Sequence, residues 1–332
     1  AAVGRVLLLR GRLDETTLIE RLALGSIATS LLFQFLSALA FPTGAAALAG
    51  HLLDADQALR GGAPSAGALP AFILPLLVLD RHGIAANLTG PIFSLALLLA
   101  LDEAARRHAV GRPGRFVALA ALAVSPRLVS WVAETDAALL GLAAFVAAWS
   151  AMGEPLPERH RILAVIRRGL LGGLLLAGGG GFTWTAVILL IAGILPPAAG
   201  LGSAAVAMIF AMLSGGVLPP GFAPGASSWL SDALLFGPII VLVPWLGLLP
   251  VAVSARSRFV AIILLVAAFV LDDGPLLFAA LLILLPAGCD LALRHAGTAG
   301  RLLLVAALLV SGGAALRRVE ARQGVLLLHA DG

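Results

Sequence analysis

Two stretches of the chain carry polar groups in patterns that can do chemistry. The first runs from Phe41-Pro42-Thr43-Gly44 to Arg60-Gly61-Gly62 and contains His51, Asp54, Asp56 and Arg60. At helical spacing, Leu48, Leu52, Ala55 and Leu59 share one face, and His51, Asp54 and Arg60 share another. A helix of this kind lies flat in a membrane interface with its charged side in water. The carboxylates can then serve as a general base or simply form a solvated face with local ion pairs. The second stretch is Ser125-Pro126-Arg127 followed by Glu134-Thr135-Asp136. Proline disfavours helix in the residue before it, so Ser125-Pro126 ends a helix. Glu134 and Asp136 are expected to open the next one, where acids are favoured by the helix dipole and can cap. The same two acids can alternatively sit at the mouth of a membrane cavity, because acids at membrane depth are costly and mark sites. A paired acid with Arg127 can hold a metal-bound or phosphate group.

These residues need scaffolding that only a bilayer explains. Of 332 residues, 60% are apolar and 12% charged, and the mean hydropathy is +1.04. A soluble domain carries roughly 25% charged residues. The composition therefore excludes a water-soluble globular protein, a disordered chain and a nucleic-acid binder. The net charge of +4 says little about partners. All basic residues are Arg, with no Lys, so Schiff-base chemistry is excluded. With one Cys, an internal disulfide and cysteine-ligated clusters are excluded too. No His lies mid-span or pairs at i, i+4, which argues against a haem or histidine metal site.

Apolar stretches bounded by Arg, Pro or Gly predict crossings at 22–41, 84–101, 116–132 and 137–152. The run 169–194 is split by Gly178–Gly181 into two. Further crossings follow at 201–213, 230–249, 259–271, 275–290 and 302–316. The expected fold is an all-α, polytopic transmembrane bundle of about 11 spans, several shorter than a full crossing and so tilted, broken or re-entrant. It forms one integral membrane domain over 1–332. That domain comprises a cytoplasmic amphipathic start at 1–21, an outer interfacial segment at 42–67 and a tail at 317–332. No signal peptide is expected. With the N-terminus inside, most arginines fall inside, among them Arg106, Arg107, Arg112, Arg115, Arg256, Arg258, Arg294 and Arg301. That is the distribution cytoplasmic loops carry, and it favours a bacterial inner membrane. Arg60, Arg81, Arg127 and the tail arginines fall outside. Trp131 and Trp229 fall at outer ends and Trp149 at an inner end, as an interfacial belt or as packing. Asp102-Glu103 and Arg106-Arg107 form an i, i+4 ladder. Asp272-Asp273-Gly274 reads as a turn.

The layout resembles the N-terminal half of the GT-C superfamily of membrane glycosyltransferases, over roughly residues 22–197. The resemblance is carried by "LRGGAPSAGALPAF", "ARRHAVGRPGR", "ALAALAVSPRLVSWVAETDAALLGLAAF" and "RRGLLGGLLLAGGGGFTWTAVILL". Such enzymes, related to protein mannosyltransferases and aminoarabinose transferases, use lipid-phosphate-linked sugars. The resemblance implies sugar transfer from a polyprenyl-phosphate donor at the outer face. Asp54 or Asp56 would be the base, and Glu134 and Asp136 would bind a divalent metal ion or orient the acceptor. Arg60 or Arg127 would hold the donor phosphate, with His51 beside the substrate. The family's first acid follows the first span directly, where this chain has Pro42-Thr43-Gly44. The glycines of the fifth crossing are followed by Phe182-Thr183-Trp184 in place of the family's basic residue. Two other readings fit the composition. One is a non-catalytic membrane subunit of a larger complex on the same fold. The other is a lipid or solute transporter, although no matched pair of broken helices is apparent. Expected partners are membrane lipid, the lipid-linked sugar and other membrane subunits.

Overall fold

A computed structural model describes residues 15–40, 84–134, 137–152, 235–271 and 273–330. Among these residues every element is helical. In chain order they are α1 (Glu15–Ala40), α2 (Ile84–Arg107), α3 (Arg112–Ala123), α4 (Pro126–Glu134) and α5 (Ala137–Met152). They continue with α6 (Pro238–Leu242), α7 (Pro244–Gly247), α8 (Ala255–Leu271), α9 (Gly274–His295) and α10 (Thr298–Ala330).

Four of these helices are long and apolar enough to cross a bilayer: Thr17–Leu39, Leu88–Arg107, Gly274–His295 and Thr298–Arg317. Taken as one span, the bent pair α3–α4 makes a fifth; its bend also fits a re-entrant loop. The chain is thus a helical integral membrane protein by length and composition. The crossings expected at 169–194 and 201–213 lie outside the described residues. So do the start at 1–14, the interfacial segment at 42–67 and the glycine run at 178–181.

Several boundaries differ from the sequence expectation. The crossing at 116–132 is two helices meeting at 51°. Proline lacks the N–H that would continue the ladder, and its ring blocks the preceding turn. The crossing at 230–249 is, over its described part, a pair of short helices that starts at Gly237 and breaks again before Pro244. Gly237 has φ +95, a left-handed conformation open to glycine. The last helix does not stop at 316 but runs to Ala330, so most of the predicted tail continues α10.

The bundle is organised around α9. Most of its span, 83%, is buried, against 11% for α1 and 17% for α10. Helix α9 packs against α8, α7 and α3, while α1 packs on α3 and α2, α5 packs on α2, and α10 packs on α4. In lipid there is no hydrophobic gain from bringing two apolar helices together, so close backbone approach has to supply the packing. Gly114 of α3 abuts the backbone of Asp290 in α9, and Gly288 of α9 abuts the Val243 carbonyl between α6 and α7. Exposed Leu24, Leu32 and Leu36 on α1, and Leu302, Leu303 and Leu309 on α10, complete an outer apolar surface suited to lipid.

Two caps set the turn between α8 and α9 and the start of α8. Asp273 is more than a turn residue. Its Oδ1 accepts from the Leu276 N–H at 3.0 Å and caps α9. Ser254 Oγ accepts from Ser257 N at 3.2 Å and does the same for α8.

Candidate functional site

The break between α3 and α4 is built from sequence chemistry. Ser125 N donates to Leu122 O at 3.1 Å and Val124 N to Ala120 O at 3.0 Å. Pro126 has no N–H to offer, and Ser30 Oγ of α1 instead donates to Ala123 O at 2.5 Å. Gln34, buried in the same helix, donates through Nε2 to Ser30 Oγ at 3.4 Å. A carbonyl facing hydrocarbon without a donor costs several kcal/mol, roughly as for any unpaired buried polar group. The Ser30 hydroxyl and the Gln34 amide nitrogen on a membrane-spanning helix are therefore accounted for.

The break aims α4 away from the axis of α3. Its Arg127 guanidinium lies over the Trp131 ring, 5.1 Å from the centroid, and Arg127 Nε is buried. Trp131 is 1% exposed. It meets Phe278 of α9 edge-on at 5.3 Å, and Phe278 meets Phe236 at 4.6 Å. Trp131 is therefore a core residue rather than a belt residue. Trp149 is likewise buried and stacks on His108 at 4.5 Å. Trp229 lies outside the described residues.

Glu134 is the last residue of α4, not the first of α5, which begins at Ala137. It lies seven residues after Arg127 along the helix. Asp136, Asp54, Asp56, His51 and Arg60 lie outside the described residues. Among the described residues no group of three His, Cys, Asp or Glu could hold a metal ion. Glu134 and Asp136 supply hard oxygen donors of the type a divalent cation takes, but two donors do not make a site.

A second polar assembly went unrecognised as a unit in the sequence. It gathers the C-terminal ends of α2, α5 and α9 with the N-terminal ends of α1 and α3. The predicted ladder is present: Arg106 Nη2 to Asp102 Oδ2 at 2.5 Å, and Arg107 Nη2 to Glu103 Oε1 at 2.8 Å. Two tertiary ion pairs extend it: Arg115 Nε lies 2.8 Å from Asp102 Oδ1, and Arg112 Nε 3.4 Å from Glu20 Oε2. In α9 a further i, i+4 pair places Arg294 Nη2 2.6 Å from Asp290 Oδ2. Arg107 Nη1 donates to Ser150 O at 3.3 Å and so ties in α5. Arg112 and Arg115 both lie 5.5 Å over the Phe116 ring. Burial lowers the pKa of His108 below its ordinary value.

The two assemblies occupy opposite ends of α2. Gly90, near its start, abuts the Val132 carbonyl of α4. Arg106, near its finish, belongs to the ion-pair cluster. Sixteen residues of helix separate them by about 24 Å. Each carboxylate with a described side chain is engaged, namely Glu20, Asp102, Glu103 and Asp290 in ion pairs and Asp273 in a cap. Comparison with known proteins finds no matching family model, no matching curated protein and no matching solved structure.

Proposed function

We propose that the chain transfers a sugar from a polyprenyl-phosphate-linked donor at the outer membrane face. The observation that supports the reading is the helix α4. It carries Arg127 and ends at Glu134, at the bundle end away from the ion-pair cluster. An arginine suits a lipid-linked phosphate, and an acid nearby suits the acceptor.

In this mechanism Asp54 or Asp56 takes the proton of the acceptor hydroxyl. The hydroxyl oxygen bonds to the anomeric carbon as the bond from that carbon to the phosphate oxygen breaks. Polyprenyl phosphate leaves, held by Arg60 or Arg127 with His51 beside the substrate. Glu134 and Asp136 orient the acceptor.

The test replaces Asp54, Asp56, Glu134 and Asp136 singly by Asn or Gln in a transfer assay with a radiolabelled polyprenyl-phosphate sugar. At least one substitution should lower the rate by about 100-fold or more, the scale at which a general base contributes. Activity equal to the starting protein in all four ends the proposal.

A second reading, a non-catalytic subunit of a larger complex, is favoured by one observation. The described carboxylates are already engaged in ion pairs or a cap, and α1 and α10 leave broad apolar faces for neighbours. Gentle detergent extraction that brings along stoichiometric membrane partners supports it. A chain that purifies alone and turns over the donor does not.

A further inference from the structure

The arginine-rich end of the bundle carries an inference that does not depend on the sugar-transfer reading. Arg106 of α2, Arg112 of α3 and Arg294 of α9 are all more than half exposed, at 58%, 67% and 63% of their side chains. Contacts between the helices bring them together. Arg106 and Arg115 share the carboxylate of Asp102. Gly111, beside Arg112, abuts the Asp290 carboxylate that Arg294 pairs with. Each guanidinium has five N–H donors in a planar fork, and a single carboxylate occupies at most two of them. Arg112 has the longest of these ion pairs, 3.4 Å to Glu20. Among the described members of the cluster, Arg106, Arg107, Arg112, Arg115 and Arg294 stand against Glu20, Asp102, Glu103 and Asp290.

This surplus lies at the edge of an apolar surface. Arg21 is followed on α1 by exposed Leu22 and Leu24, which face outward from the bundle. On α3, Phe116 sits under Arg112 and Arg115. Donors at the head and hydrocarbon beside them are what a phospholipid presents in reverse: a phosphate with acyl chains below it. We propose that this end, at Arg106, Arg112 and Arg294, binds the phosphate headgroup of an anionic phospholipid whose chains lie along α1.

The contacts between helices give the proposal its specificity. Arg106 and Arg294 pair within their own helices, while the Arg115–Asp102 and Arg112–Glu20 pairs and the approach of Gly111 and Gly114 to Asp290 hold α1, α2, α3 and α9 together at this end, so the lipid bridges helices rather than screening a loop. A basic group near an anionic membrane surface is worth about 1 kcal/mol, which is roughly 5-fold in association for each arginine removed.

The test uses the full chain in nanodiscs of phosphatidylcholine alone or with phosphatidylglycerol. It reads Tm together with the phosphatidylglycerol retained in native mass spectrometry. Phosphatidylglycerol should raise Tm and stay bound. Arg112→Gln and Arg294→Gln should each weaken that retention roughly 5-fold, and Arg112→Lys should restore most of it. The exposed Arg112 and Arg294 tolerate replacement. Should a Gln variant prove unstable, raising the salt on the starting protein supplies the same reading, because headgroup attraction is screened. Equal Tm and retention in the two lipid compositions overturn the proposal. So does phosphatidylglycerol retention that is unchanged in both Gln variants or insensitive to salt. If inorganic phosphate raises Tm equally in phosphatidylcholine discs, a free anion rather than a lipid is the ligand, and the proposal also falls.

Discussion

Gly114 of α3 lies so close to Asp290 of α9 that a methyl group in place of its hydrogen would overlap the Asp290 backbone. The contact fixes how α3 enters the bundle. It also puts the Asp290 carboxylate, which pairs with Arg294 one turn on in α9, beside Gly111. Replacement of Gly114 by Val must push the helices apart or bend them. Overpacking of this kind costs roughly 1–3 kcal/mol, and Gly114→Val should lower Tm in detergent by several degrees. Gly313→Ala, with open space around it, should leave Tm unchanged or slightly raised.

The Ser30–Ala123 hydrogen bond makes its own prediction. Ser30→Ala removes the donor that the Pro126 break leaves needed, and it should cost about 1 kcal/mol. Ser26 donates only to Leu22 O within its own helix, so Ser26→Ala should change Tm less. Equal losses for the two variants would mean that the break does not depend on α1.

Asp102 serves two arginines in unlike settings. Arg106 is largely exposed and Arg115 largely buried. Exposed pairs are worth at most about 1 kcal/mol and are screened by salt. Arg106→Gln should therefore have little effect in 0.5 M salt. Arg115→Gln should lose more, and the loss should persist at high salt because it leaves a largely buried carboxylate with an exposed partner alone. A double-mutant cycle with Asp102→Asn measures the coupling.

How much of this was legible in the sequence depended on how local the chemistry was. The Ser125-Pro126 break and the ladder from Asp102 and Glu103 to Arg106 and Arg107 follow from steric and i, i+4 rules that need no tertiary knowledge. The bounds of α5 could be read for the same reason: an uninterrupted apolar run has clear ends. Other features were set by partners distant in the chain. Nothing near Arg115 says that Asp102 lies beside it, and nothing near Ser30 announces an open carbonyl in another helix. Glu134 was misread because a helix-opening acid and a helix-closing acid look alike until the turn between α4 and α5 is known. The burial of Trp131 came from Phe278 of α9. A signal for the arginine cluster was present, since the inside arginines were already grouped by topology. The step that was missing was to ask which of them end up adjacent.

His108 stacks on Trp149 and its Nε2 has no hydrogen-bond partner among the described residues. Burial lowers its pKa below the ordinary histidine value of 6.5, so folding favours the neutral ring. Stability from this residue is full above the unfolded pKa and is lost as pH falls through 6.5 towards the lower folded value. Tm should therefore decline on acidification from pH 7 to 5. His108→Phe, which keeps the stack and cannot protonate, should flatten the decline. A decline of the same size in the variant would assign the effect to other groups.

The bend between α3 and α4 also has a consequence for how the chain comes together in a bilayer. A hinge with an open carbonyl cannot rest in hydrocarbon by itself, while its donor belongs to the helix synthesised earlier. The later pair can reach its final depth only after that earlier helix is in the lipid and close by. The insertion machinery must keep the first crossing near at hand until the bent one has been delivered.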